Sequence, residues 1–415
     1  MIRQTIVYML SLASVALLSG GCGADAPRGD IGRASAPVID GVASGPEDDS
    51  TVWMGVISEE GYLSGACSGT LVADNIVLTA RHCVSRTQDG GIACARDGRP
   101  IAGGKVLADY EAKNLAVIVG PRMKSEADAW GKVVIHDGAK NLCNADIALV
   151  VLDRRIPGAL ISPVRLDSPP VKGETIRAVG WGVSNKGGGG MGSSRRMRRT
   201  GVPIRAVGPA TDDGGAVGPN EFGIGEAICS GDSGGPAFDE RTNAVIGVVT
   251  RGGNGAPYDP STDPPWTQCV DTPEYATRNL YTRTDTYRDL ILSAFEAAES
   301  EPWVEGGPDP RKAKSGAACE IADECRSGIC IEVEGAKVCA DPCAAPGGTC
   351  SDGYACRALA DTQVCLSIPP PSNADGSTEA GGGCSATSGG ASSTWQWATG
   401  LLLAAMLAAR ARRGR

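Results

Sequence analysis

The chain has 415 residues, 42% of them hydrophobic and only 4% aromatic, so it can bury a sizeable core and has room for two or three domains. Its 58 glycines and 26 prolines favour turns and short strands over long helices. A formal net charge of -9, with no basic patch interleaved with aromatics in the central region, excludes nucleic acid as an expected partner.

Arg3 and the apolar run from Ile6 to Leu18 read as an export signal over residues 1–21. Sixteen cysteines fit the oxidising compartment to which such a signal leads. The run ends in LLSGGC, which resembles a bacterial lipoprotein box with Cys22 as lipid acceptor, although Ser19 stands where the box usually has leucine. Lipidation of Cys22 and ordinary signal cleavage are both open readings. Residues 22–37 are small, polar and proline-containing, the composition of a propeptide or tether.

From Thr51 onward short apolar runs recur: TVWMGVI, SGTLV, NIVLTA, LAVIVG, KVVIH, DIALVVL, TIRAVGWG, VPIRAV, AVIGVVTRG and NLYTRT. Each is bounded by Gly, Pro, Asn or Asp, which predicts an all-β region built as a sandwich or as barrels. One helical pattern closes it, with Tyr287, Leu290, Ile291, Ala294 and Phe295 on one face and Asp285 placed to cap the start. Residues 299–315 are charged and rich in Pro and Gly, so a linker is expected there.

Eight cysteines follow within residues 316–366, in two similar halves: Cys319, Cys325, Cys330 and Cys339, then Cys343, Cys350, Cys356 and Cys365. So short a module cannot bury much, and disulfides must hold it together. Spacing does not choose among the pairings, and zinc is the competing reading, disfavoured outside the cell. A second linker covers 367–383. The segment 384–415 begins with Cys384, continues through an apolar stretch from Trp395 to Ala409 and ends RARRGR. That stretch rises about 22 Å as a helix, short of a ~30 Å hydrocarbon core. In its order of cysteine, apolar run and arginines it resembles the MYXO-CTERM sorting tag, which implies a processing enzyme acting at Cys384.

The chemistry can be reached by elimination, because the chain has only two histidines, His82 and His136. Ser233 stands in CSGDSGGP, and GDSGG also fits the nucleophile elbow of α/β-hydrolases. Those enzymes place histidine after the serine, and none follows Ser233 here. The order Asp, His, Ser stays formally open, but the motifs favour His, Asp, Ser. His82 ends an apolar strand in VLTARHC, where a Cys67–Cys83 bridge would clamp the two strands that present it. Asp146 opens the apolar strand DIALVVL; a buried carboxylate there needs a partner, and the His82 ring N–H is the natural one.

VLTARHC, DIALV and CSGDSGGP are similar to the three signature segments of trypsin-like serine proteases, with VIDG at 38–41, VGWG at 179–182 and LYTRT at 280–284 in the family's order. The resemblance covers residues 38–298. It implies two six-stranded antiparallel β-barrels with a C-terminal helix, here followed by the cysteine module and the short hydrophobic segment. It further implies an acyl-enzyme mechanism with Ser233 as nucleophile, His82 as base and Asp146 as its orienting group. Gly231 and Ser233 would form the oxyanion hole, and Asp232 would pair with an α-ammonium freed at Val38. Cys229–Cys269 would bridge as in the family, leaving Cys94 and Cys143 to each other.

Ala227, Ile228, Thr250, Arg251 and Gly252 match the family's specificity pocket. Tryptic members carry aspartate where Ala227 stands, so a small or medium apolar residue is expected before the cleaved bond. Glu226 is adjacent, and a one-place shift would restore a basic preference. Arg251 would favour acidic residues further along the substrate. Arg81 replaces the family's alanine, its stem expected along the surface, and the arginine run 195–199 reads as a solvated strand edge and nicking site. His136 reads as a loop histidine. The bond before Val38 follows Pro37, which a trypsin-like activator would not cut, so a different activating protease is implied. No cofactor is expected and no metal: the Asp/Gly clusters at 89–98 and 211–215 lack regular ligand spacing. The expected function is a secreted or cell-surface serine endopeptidase acting as a monomer on protein or peptide substrates. The alternative is a retired protease fold serving as a binding or adhesive surface protein.

Overall fold

The computed structural model describes residues 38–368, apart from 89, 183–193, 213–214, 260, 345–347 and 360–361. The signal segment, Cys22, Cys384 and the tail with its arginines lie outside the described residues.

Twelve strands build two closed antiparallel barrels. The first comprises β1 (Thr51–Ile57), β2 (Leu63–Ala73), β3 (Ile76–Thr79), β4 (Leu115–Ile118), β5 (Ala129–Ile135) and β6 (Ala148–Leu152), bonded in the order β5-β6-β3-β2-β1-β4 and closed by β4 on β5. The second comprises β7 (Thr175–Gly180), β8 (Met197–Val207), β9 (Glu221–Ile224), β10 (Pro236–Asp239), β11 (Val245–Gly253) and β12 (Arg278–Arg283), in the order β8-β7-β10-β11-β12-β9 and closed by β9 on β8. Counted from its own first strand, each barrel follows the same circuit. Closure leaves no unpaired sheet edge in either. The all-β fold and paired barrels implied by the sequence are found, and all ten apolar runs fall on strands. Strands β9 and β10 were not foreseen: Glu221 and Gly223 break up one and Pro236 and Asp239 bound the other, so neither stands out as an unbroken apolar run.

The helix α1 (Arg288–Ala297) buries Ile291, Ala294 and Phe295 in a core shared with Leu149, Val151 and Val245. Asp285 does not cap it. A 3-10 turn over Asp285–Tyr287 precedes the helix, and the Asp285 carboxylate is taken by Arg283, 3.0 Å from its Nε. The segment after the helix docks rather than hanging free. Val164 N–H donates to the Trp303 carbonyl (2.9 Å) and Glu305 N–H to the Val164 carbonyl (3.0 Å). Beside them the buried Arg165 gathers Glu305, Glu174 at 2.7 Å and Asp239 at 2.6 Å.

The arginine run corrects a second expectation. Arg196 is fully buried, not solvated: its guanidinium bonds Ser44 Oγ, the Thr51 and Gly45 carbonyls and, at 2.7 Å, Asp49. Arg198 pairs with Glu47 and Asp48, and Arg199 reaches the Ile39 carbonyl at 3.1 Å. Burial is tolerated because each Arg196 nitrogen meets an oxygen, the Thr51 and Gly45 carbonyls among them. The run thus fastens residues 39–51 to the second barrel.

Seven disulfides are present among the described residues. Cys67–Cys83, Cys94–Cys143 and Cys229–Cys269 tie down the turns and loops around the barrels. In the module each half is cross-paired: Cys319–Cys330 with Cys325–Cys339, then Cys343–Cys356 with Cys350–Cys365. These bonds brace short strand pairs such as Cys330–Val333 with Ala336–Cys339.

Candidate active site

His82 stands in a 3-10 turn, Arg81–Cys83, directly after β3, and Asp146 lies just before β6; these strands are neighbours in the first barrel. Asp146 is fully buried. It accepts from His82 Nδ1 at 2.7 Å, from the His82 backbone N–H at 2.9 Å and from the Thr250 hydroxyl at 2.5 Å. Burial works against the charged imidazole, but the charge and hydrogen bond of Asp146 outweigh it and raise the His82 pKa above its ordinary value. Burial likewise opposes the Asp146 carboxylate, and His82 and Thr250 hold its pKa below the usual range. Thr250 was expected to line the substrate pocket; its hydroxyl instead completes the shell around this carboxylate.

Ser233 comes from the second barrel, three residues before β10. Its carbonyl accepts the Ser68 N–H of β2 at 2.8 Å. A Cβ on the next residue, Gly234, would lie 2.9 Å from the Ala80 nitrogen, so the nucleophile loop rests on the strand end that delivers His82. No hydrogen bond joins the Ser233 hydroxyl to the His82 ring among the described residues; such bonds are often long before substrate arrives. Gly231, with φ +94, occupies a backbone region closed to most side chains, and a Cβ there would meet the Gly182 Cα at 2.8 Å. Beneath it, burial pushes the Asp232 carboxyl up to about 7, against the N–H groups of Cys229 (2.9 Å), Gly182 (2.7 Å) and Val38. Val38 is itself buried in the second-barrel core.

The cleft beside Ser233, about 850 Å³, is lined by Ile228, Val249, Gly252, Asn279 and Leu280 among others. Ala227 is wholly buried behind it. Asn279 was not foreseen, because nothing in NLYTRT distinguishes a pocket residue from a strand residue. It is 2% exposed, its Nδ2 donates to the Gly225 carbonyl at 2.9 Å, and its Oδ1 would lie 1.9 Å from a Cβ at Gly252. Glu226 does not face this cleft. Its carboxylate accepts the Asp271 N–H at 2.7 Å and lies 3.3 Å from Arg199. The one-place shift that would put it under the substrate is therefore excluded.

Two arginines depart from expectation for the same reason, a carboxylate within reach. Arg81 is 3% exposed, not laid along the surface, with Nη2 2.6 Å from Asp109; Asp109 also bonds Ser85 and, at 3.1 Å, His136. Arg251 turns inward onto the buried Glu221, its second nitrogen at 2.9 Å. It remains in the lining of the cleft, as expected, but its charge is paired there with Glu221. Among the described residues, the three groups of cysteines that could suggest a metal include only sulfurs already in disulfides, with His82 beside the first.

Two barrels of one topology, with a carboxylate-held histidine from the first and a glycine-flanked serine from the second, define the architecture of a serine protease. The Trypsin family model matches residues 41–263, more than half of the chain, and the chain belongs to the trypsin family. It is 24% identical to a trypsin of Saccharopolyspora erythraea over 56% of this chain and 87% of that one. It is 27% identical to a chymotrypsin of Phaedon cochleariae (58% and 76% covered) and 28% identical to a trypsin of the same organism (57% and 81% covered). A chymotrypsin and a trypsin from one source match almost equally, so primary specificity has to be read from the pocket. Among the described residues no helix is long and apolar enough to cross a membrane.

Proposed function

We propose that the mature protein is an exported serine endopeptidase that cleaves after small or medium apolar residues. The observation that carries the reading is the Asp146 carboxylate on His82 Nδ1, which fixes the tautomer that leaves Nε2 free to accept a proton. On this reading Nε2 takes the Ser233 proton as the serine oxygen attacks a peptide carbonyl. The backbone N–H groups of Gly231 and Ser233 stabilise the resulting oxyanion, and the protonated imidazole then donates to the leaving amine. Water repeats the sequence to release the acyl group.

Export is supported by the seven disulfides among the described residues, since such bonds form and persist chiefly in oxidising compartments. The specificity is supported by the buried end of the pocket, where Ala227 stands behind Ile228 and Asn279 and offers no carboxylate; the acid in the cleft lining, Glu274, is exposed to solvent. A lysine or arginine there would be buried without a counter-charge. Activation is read as cleavage before Val38 by a protease that accepts Pro37, followed by pairing of the new ammonium with Asp232. The catalytic unit is 38–298, and the module at 316–366 is its companion. Labelling with a fluorophosphonate tests the reading: mature wild type should react and Ser233→Ala should not. Substrates with Ala or Val before the scissile bond should outpace those with Arg. A correctly matured protein that fails to label overturns it.

A further inference from the structure

The oxyanion loop is gripped by a side chain outside the triad. Ser68 is fully buried in β2, next to the Cys67–Cys83 bridge that holds the His82 turn. Its hydroxyl donates to the Gly231 carbonyl at 3.0 Å and accepts the Trp181 N–H at 3.0 Å. Its own N–H donates to the Ser233 carbonyl at 2.8 Å, and its carbonyl accepts the Thr79 hydroxyl at 2.9 Å. One residue of the first barrel thereby fixes the carbonyls of both residues whose N–H groups would receive the oxyanion.

We propose that Ser68 is a positioning residue for the oxyanion hole. Gly231 is the softest point of that loop: without a Cβ, its backbone can rotate at little steric cost. Its N–H and its carbonyl lie in the two peptide planes that meet at its Cα, so anchoring the carbonyl fixes one plane and the Cα and leaves the N–H fewer ways to turn out of the hole. The Ser68 hydroxyl holds that carbonyl, and the Trp181 N–H holds the hydroxyl in turn. Without the hydroxyl, the Gly231 carbonyl and the Trp181 N–H lose this partner in a buried setting, and the loop regains the freedom to relax. The benefit falls on the tetrahedral state rather than on substrate binding, because an oxyanion donor acts where charge develops.

This inference rests on the protease reading, and the test separates the two. The variants Ser68→Ala and Ser68→Gly remove the hydroxyl, Gly without added bulk; Ser68→Thr keeps it. A direct oxyanion donor is worth ~100- to 1,000-fold in kcat, so loss of its support should lower kcat about 10- to 100-fold while KM stays within about twofold. The affinity for a peptide aldehyde, which forms a tetrahedral adduct, should fall in step with kcat. The affinity for the cleaved product peptide should not move, and Ser68→Thr should recover most of the loss. Wild-type kcat and aldehyde affinity in whichever of the Ala and Gly variants folds, with wild type labelling normally, would overturn the proposal alone. An equal loss of product and aldehyde binding would also overturn it, by showing a general structural role. A wild type inert to fluorophosphonate would overturn the functional reading and this proposal together.

Discussion

Arg251 is clasped by Glu221, guanidinium to carboxylate, with the acid fully buried and the Arg251 side chain 13% exposed. Removing one partner of such a pair strands the other in a medium that solvates it poorly. Glu221→Gln should therefore lower unfolding free energy by about 3 kcal/mol in urea titrations. The same change should release positive charge toward the cleft and raise turnover of substrates carrying Asp or Glu relative to neutral ones. Wild-type stability together with an unchanged charge preference would contradict this account of Arg251.

The catalytic pH profile follows from Asp146. Because His82 must be neutral to accept a proton, kcat/KM should rise with pH through an apparent pKa above the ordinary 6.5. Asp146→Asn should move that limb to lower pH and reduce kcat by roughly 10,000-fold. A limb that stays in place in the variant would remove Asp146 as its cause.

Stability of the uncut chain should carry the signature of Asp232. Its pKa is raised by burial to about 7, so between the ordinary value of 3.8 and about 7 the folded chain binds a proton that the unfolded chain has lost. This group's contribution is full below pH 3.8 and disappears as pH rises through about 7. Asp232→Asn should flatten that decline in thermal melts of uncleaved protein. Cleavage before Val38 should reverse it by supplying a cation. Melts of wild type and variant that stay parallel from pH 4 to 8 would refute the assignment.

Asn279 lines the cleft and crowds Gly252. Asn279→Gly should open space there and improve kcat/KM for Leu or Phe before the scissile bond by about tenfold relative to Ala, the scale of a few methylenes in an apolar pocket. Profiling with a peptide library checks this; an unaltered ranking would exclude Asn279 from substrate selection.

Much of the fold was legible because buried strands such as β3 and β6 are unbroken apolar runs ended by turn residues. Strands β9 and β10 were not, since Glu221, Gly223, Pro236 and Asp239 leave neither an unbroken apolar run, and their pairing is set by distant partners. Among the candidate residues, His82 and Ser233 sit in dense local motifs. Ser68, Asn279 and Glu221 do not, because their contacts join positions from 30 to 163 residues apart. Charged residues misled most. Arg81, Arg196 and Arg251 look like surface chemistry in a linear text, and only the fold reveals the carboxylates and carbonyls that draw them inside.

The interleaved bridges of the cysteine module have a consequence for its endurance. Any single backbone break between Cys319 and Cys339, or between Cys343 and Cys365, falls inside at least one closed loop, so neither fragment can leave. Only the short joint between Cys339 and Cys343 has no bridge across it. In surroundings rich in peptidases, a half that has been nicked keeps its shape and its place, and separation of the halves depends on that one joint.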